Sequence, residues 1–222
     1  ELEPNDDDET IFNISAVNIE ENGNREPVPY VVPPGIIREQ DVASANLRNM
    51  NEQSLAFEVC NLKDGNAKAA FKTVNFDMRQ YKRLRMFSHI EALTSETDLA
   101  SKELTVFVRL GSDFDQNYYE YEKALDVSPW YTNDDDEVWP EANNFEILLS
   151  DLQNLKIERG TSNSILQEYS KMIEGVRVSI KGNPNLANVT VMMIGVRNPD
   201  KDKNTFSTTD DGKSKCAIVW VN

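Results

Sequence analysis

The sequence predicts a mostly β fold: an antiparallel β-sandwich of jelly-roll type, with one or two short helices. Three observations carry this. Apolar residues alternate with polar ones over about eight separate runs, Gly/Asn/Asp-rich turns and polar loops divide those runs, and a helical period appears clearly only once.

The chain opens on an acidic leader, residues 1–25, with six carboxylates in its first ten positions and a short apolar patch at Ile11, Phe12, Ile14 and Val17. So dense a block of like charge is expected to be solvated and partly disordered. Residues 26–42, "EPVPYVVPPGIIREQDV", follow as a proline-rich strap. Proline fixes φ and removes a donor, so the segment can run extended over a sheet without becoming a central strand. It contains no PxxP ligand spacing, and its Val28, Tyr30, Val31, Val32, Ile36 and Ile37 favour burial over a free linker.

The sandwich is expected over residues 43–222. "SLAFEVCNL" and "KAAFKTVNFD" alternate, and "YKRLRMFSHIEA" sets Leu84, Met86, Ser88 and Ile90 against Arg83, Arg85, Phe87 and His89. "ELTVFVRLGS" sets Leu104, Val106, Val108 and Leu110 against Thr105, Phe107 and Arg109, and "NYYEYEKALDV" continues the set after a turn at Gly111 and Asp113. The period then changes. Phe145, Leu148, Leu149, Leu152 and Leu155 recur at helical spacing, predicting a helix near 144–159 with Asn143 or Asn144 as N-cap and Gly160 as its stop. "SILQEYSKMIEG" is read as a further turn or two of helix. Alternation returns in "VRVSIKG", "NVTVMMIGVRN" and "KCAIVWVN".

Composition narrows the function classes. The net charge of −15, from 23 Lys and Arg against 38 Asp and Glu, repels phosphate backbones and anionic headgroups, which argues against nucleic-acid binding and against direct membrane insertion. The two cysteines, Cys60 and Cys216, fit either one disulfide between an early and a late strand or two buried thiols. The single histidine, His89, has no partner at zinc spacing and is read as structural or surface-exposed. No nucleophile elbow, phosphate loop or dinucleotide fingerprint occurs, so no catalytic residue is assigned and no cofactor is expected. The run "DKDKN" places Asp200, Asp202 and Asn204 at alternating positions, a weak calcium pattern without a glycine at the sixth position.

The main candidate site is the polar sheet face. If its strands are neighbours, Arg83, Arg85, Phe87, Phe107 and Arg109 share a surface with Tyr119 and Tyr121, as sugar-binding jelly rolls use aromatic planes and guanidinium forks. The preferred reading is that this face is covered and each arginine is paired to Glu120 or Glu122, because Phe87 and Phe107 both favour cover.

Several less common stretches resemble one family: "VPYVVPPGIIREQD", "NEQSL", "AFKTVNFDMRQYKRLRMFSHIEA", "VFVRLGSDFDQNYYEYEKAL", "KGNPNL", "MMIGVRNP" and the terminal "VWVN". They are similar, in order from Val28 to Asn222, to the SprA/Sov family of very large outer-membrane proteins. That resemblance implies the gliding-motility translocon of the type IX secretion system, of which this chain would be a soluble piece in the cell envelope, on the periplasmic or the extracellular side. It implies as partners the remainder of the parent barrel, accessory proteins such as PorV, a plug protein and cargo proteins. It implies a structural or interaction role without catalysis, and carries no enzymatic residue over. Lys123 in "YEYEKAL" and the "NDDD" loops depart from the family pattern. A cell-surface carbohydrate-binding module is the alternative that the residues themselves support.

Overall fold

The computed structural model describes residues 9–40, 49–95, 97–160 and 163–222. Twelve strands among them form three antiparallel sheets. The first sheet holds β1 (Ile11–Asn18), β2 (Gln53–Leu62), β12 (Lys215–Val221) and β5 (Ser88–Ala92), in that spatial order. The second runs β3 (Ala67–Phe76), β11 (Val189–Arg197), β6 (Thr105–Gly111), β7 (Tyr118–Ala124), β10 (Val176–Lys181) and β9 (Tyr169–Ile173). A two-stranded ribbon pairs β4 (Arg83–Met86) with β8 (Phe145–Leu148).

The order is that of a jelly roll. Strands adjacent in sequence pass between sheets, β2 to β3 and β5 to β6, while β2 pairs with β12, β3 with β11, and β6 with β7. The place beside β5 that would complete the four-stranded sheet is taken by irregular backbone, where Ser128 N–H donates to the Ile90 carbonyl at 2.8 Å. Strands β10 and β9 then extend the other sheet past β7.

Alternation puts Phe57, Val59, Ile90, Val219 and Val221 on the inner side of the first sheet. Val106, Val108, Leu110, Tyr119, Val178 and Ile180 face them, or face the helix, from the second. These residues form one buried cluster, and each large side chain taken from water contributes about 1.5–3 kcal/mol. Two one-turn helices, α1 (Ile19–Asn22) and α2 (Asp135–Val138), sit in connections, and one longer helix, α3 (Leu149–Arg159), buries Leu149, Leu152 and Leu155. Gly160 ends α3 at φ 54°, a conformation that glycine adopts without a Cβ penalty, and its N–H donates to the Lys156 carbonyl.

Four expectations about the secondary-structure elements change. Leader residues 11–18 are a strand, because their apolar patch pairs residue for residue with Gln53–Cys60; residues 1–8 lie outside the described residues, as do 41–48, the last two positions of the expected strap and the first six of the expected sandwich. The predicted helix near 144–159 starts only at Leu149, since residues 145–148 pair with β4 and Leu148 is the residue before the first turn; Asn143 instead holds Asp126 N–H and the Asp126 carbonyl. The stretch read as extra helix contains β9, an edge strand on β10. The single strand expected from Arg83 to His89 is two, because at Phe87 the chain leaves β8 and exchanges both backbone bonds with Asn222.

The strap runs from Glu26 across the outer side of the first sheet, burying Val28 and Tyr30. Its far end differs from the expected burial, with Ile36 at 40% and Ile37 at 89% exposure. A disulfide joins Cys60 on β2 to Cys216 on the neighbouring β12, 156 positions later.

Candidate functional site

Directly opposed residues in a sheet share a face, so the register defines the outer face of the second sheet. Phe107 lies between Glu122 and Gly195, Arg109 between Glu120 and Met193, Arg177 beside Glu122, and Arg197 beside Thr105. Two carboxylates and three guanidiniums therefore converge. Arg197 donates to Glu120 at 2.9 Å and also binds Glu122, Arg109 Nε binds Glu120, and Arg177 binds Glu122. The Thr105 hydroxyl donates to Glu122 at 2.6 Å. Glu120 and Glu122 are buried to 1% and 0% exposure.

The arginine planes cover the aromatic ring. Arg197 Cζ stands 4.5 Å and Arg109 Cζ 5.5 Å from the Phe107 ring centre, and Arg109 lies 4.1 Å over Tyr118. Phe206, from the 198–214 loop, lies 5.5 Å from Arg177 Cζ, and the Phe114 carbonyl accepts from Arg109. Burial alone would raise the Glu120 carboxyl; Arg197 and then Arg109 outweigh it and hold the group below its ordinary value. Burial would lower the Arg197 guanidinium, which Glu120 and Glu122 hold above its usual range. The carboxylates are occupied by these cations, so the arrangement is suited to locking strands β6, β7, β10 and β11 together.

A Cβ added at Gly195 would fall 2.5 Å from Phe107 Cζ, 2.6 Å from Ala69 Cβ and 2.7 Å from the Lys68 carbonyl. Gly195→Ala is expected to cost about 1–3 kcal/mol by displacing Phe107 from beneath the arginines. Urea titration reads this; an unshifted midpoint would show that the ring is not held where described.

Of the seven face residues expected from sequence, only Phe107 and Arg109 belong to this cluster. Tyr119 and Tyr121 are opposed to Leu110 and Val108 and so sit on the inner side, with hydroxyls donating to the Pro184 and Glu146 carbonyls. In "YYEYEKA" aromatic residues occupy both parities, so alternation alone does not select the buried face. Arg83 and Arg85 are on the β4–β8 ribbon, with side chains 46% and 65% exposed and both directed at Glu146. Phe87 packs instead under the strap. The aromatic platform proposed for a sugar is therefore not assembled from these residues: Phe107 and Tyr119 are 2% and 3% exposed. Sequence reading missed Arg177 and Arg197, whose outward parity is visible in "VRVSIK" and "GVRN" but whose neighbours are not.

The calcium pattern is spent within its own loop. Asp200 accepts from Asp202 N–H and Lys203 Nζ, each at 3.0 Å. Asn204 donates its amide to Asp210 at 2.6 Å and accepts from Phe206 and Ser207 N–H, while Asp202 is exposed. Among the described residues, the acidic group that comes together, Asp134, Asp135 and Asp136, is wholly exposed.

A second polar cluster lies under the strap. His89 stacks on Trp220 with ring centres 4.0 Å apart, and its Nδ1 is 2.7 Å from the Val138 carbonyl. Tyr30 packs against Trp139 and Trp220 and bonds Glu52 at 2.6 Å and Ser54 at 2.7 Å. Trp139 Nε1 donates to the Val31 carbonyl at 2.8 Å, and Arg25 reaches Glu91 at 2.6 Å. His89 is thus fully buried, which makes it structural and not surface-exposed.

Burial pushes the Glu91 carboxyl from 4.5 up to about 7, with Arg25 opposing, and pushes the His89 imidazole from 6.5 down to about 3. Folded Glu91 holds its proton more tightly than the unfolded chain does, so its contribution is full below pH 4.5 and is lost as pH rises towards 7. Folded His89 holds a proton more weakly, so its contribution is lost as pH falls from 6.5 to 3. The two slopes oppose one another between pH 4.5 and 6.5. Glu91→Gln is expected to unmask the His89 slope, about 1.4 kcal/mol per pH unit at most, as acid is added below pH 6.5. Urea midpoints from pH 4 to 8 test this, and a profile identical to the parent chain's contradicts it.

A family model, SprA_N, described as motility related/secretion protein, matches residues 1–222. The chain belongs to this family. The SprA_N match spans the positions of all three sheets, the strap and the loop that carries Phe206. The chain is accordingly a motility- or secretion-related protein. No curated protein matches it. Among the described residues, no helix is long and apolar enough to cross a membrane.

Proposed function

We propose that this SprA_N chain is a noncatalytic structural and interaction module of a very large outer-membrane protein translocon, serving type IX secretion and gliding motility. The single observation that carries the reading is the family match along all 222 residues. The geometry supports a rigid element: the buried carboxylates of the outer sheet face are committed to guanidiniums. In this role the module stands beside the pore in the cell envelope and works without a cofactor. It contacts the rest of the barrel, an accessory subunit such as PorV, a plug protein or passing cargo.

The test is an in-frame deletion of the segment from the parent gene, with the barrel's surface assembly followed separately by protease accessibility. Loss of cargo secretion from cells whose barrel still assembles supports the module role. Normal secretion and normal gliding in that strain would sink it.

A further inference from the structure

Four strands stand outermost in the two large sheets, and three of them are blunted. The free side of β5 meets the Ser128 backbone. The ten-residue β3 points Lys68 and Lys72 to the core-facing side of its sheet and has a register break near Phe76, both of which discourage edge pairing. The five-residue β9 is short, and its central Lys171 is tied to Glu158 of α3 at 2.9 Å. The fourth, β1, has none of these devices. Its sequence "IFNISAVN" contains no charge and no proline, and its register against β2 is unbroken over eight residues. Among the described residues, no backbone bond reaches Ile11–Val17 from the side away from β2.

The side chains along this edge are apolar and open: Ile11 is 50% and Ile14 49% exposed, and Ala16 is exposed beside them. Ala16 is the register partner of Leu55, which lines an apolar cleft of about 220 Å³ between the sheets, together with Leu84, Met86, Met192 and Ile194. An added strand would satisfy the free N–H and C=O groups, and its inward side chains would extend over Phe12, Ile14 and this cleft.

The charges choose the occupant. Glu9 precedes β1, Glu20 and Glu21 follow it, and Glu58 lies opposite Asn13, all four exposed on a chain of net charge −15. A second copy paired antiparallel about Ile14 and Ser15 would bring Glu9 of each chain against Glu20 of the other, an arrangement of like charges. We propose that the free edge of β1 takes an extended strand from another polypeptide, with apolar residues at alternate positions and lysine or arginine at its ends.

The probe is a fluorescein-labelled peptide of about ten residues, alternating valine and serine with two lysines at each end. Saturable binding is expected by anisotropy, with amide exchange slowed in Ile11–Val17. Methylating alternate peptide nitrogens, replacing the lysines by glutamates, and the variant Ile14→Lys should each weaken binding by about tenfold or more. Since the methylated and acidic peptides leave the protein unaltered, they decide the matter even if Ile14→Lys folds poorly. Absence of saturable binding, equal binding of the methylated peptide, or a protein dimer formed through β1 that excludes the peptide each overturns the proposal.

Discussion

Glu122→Ala is expected to lower stability by about 3–5 kcal/mol, the range for breaking a buried ion pair from one side. The loss is large because Glu122 is 0% exposed and serves three donors at once: the guanidiniums of Arg177 and Arg197 and the Thr105 hydroxyl. Removing the carboxylate leaves Arg177 without its acceptor and Arg197 with Glu120 alone. Arg177 would then turn to solvent from beside Phe206, and Arg197 would keep its place over Phe107 through Glu120 alone. Glu146→Ala is the control. It breaks a pair with Arg83 in which both side chains are nearly half exposed, and should cost about 0–1 kcal/mol. Urea unfolding of the two variants, side by side, checks the contrast; equal losses would mean that the buried network does not hold the sheet.

Removing the disulfide by Cys60→Ala with Cys216→Ala should cost about 2–5 kcal/mol. The bridge closes a loop across 156 positions, so in the chain-entropy view it restricts the unfolded chain strongly. It also spans β2 and β12, the central pair of the first sheet, whose hydrogen bonds link an early part of the sequence to its end. The parent chain in reductant should unfold at the midpoint of the double variant, and coincident midpoints for oxidised and reduced parent chain would contradict the prediction. A disulfide at this place accords with an oxidising compartment, as the proposed envelope location requires.

These two sites were legible to different degrees. Alternation in "ELTVFVRLGS" correctly assigns Val106, Val108 and Leu110 to the core and Phe107 and Arg109 to the other face, and Glu120 and Glu122 are foreseeable as arginine partners. It does not reveal that Arg177 and Arg197, dozens of residues away, are the other donors. Cys60 and Cys216 fit a bridge or free thiols equally well until β2 and β12 are known to be neighbours. Tyr119 and Tyr121 were misplaced because aromatic residues stand on both parities of β7, so the choice of buried face falls to the packing of Val108, Leu110 and α3. Arg83 and Phe87 were separated by a change of pairing partner at residue 87, which leaves no mark in the local pattern.

By itself, then, the sequence determined the class: an antiparallel jelly roll with one substantial helix, acidic, with motifs that resemble a secretion and motility family. Those follow from local signals, period two against period 3.6, turn residues and charge count, each contained in a few neighbouring positions. Only the tertiary structure decided which carboxylates meet which arginines, that the strap packs on Trp220 while Val138 and Trp139 close over His89, and that among the described residues β1 has an unpaired, uncharged edge. Each of these depends on which strands become neighbours, and that is set by burying one shared core among segments far apart in the chain.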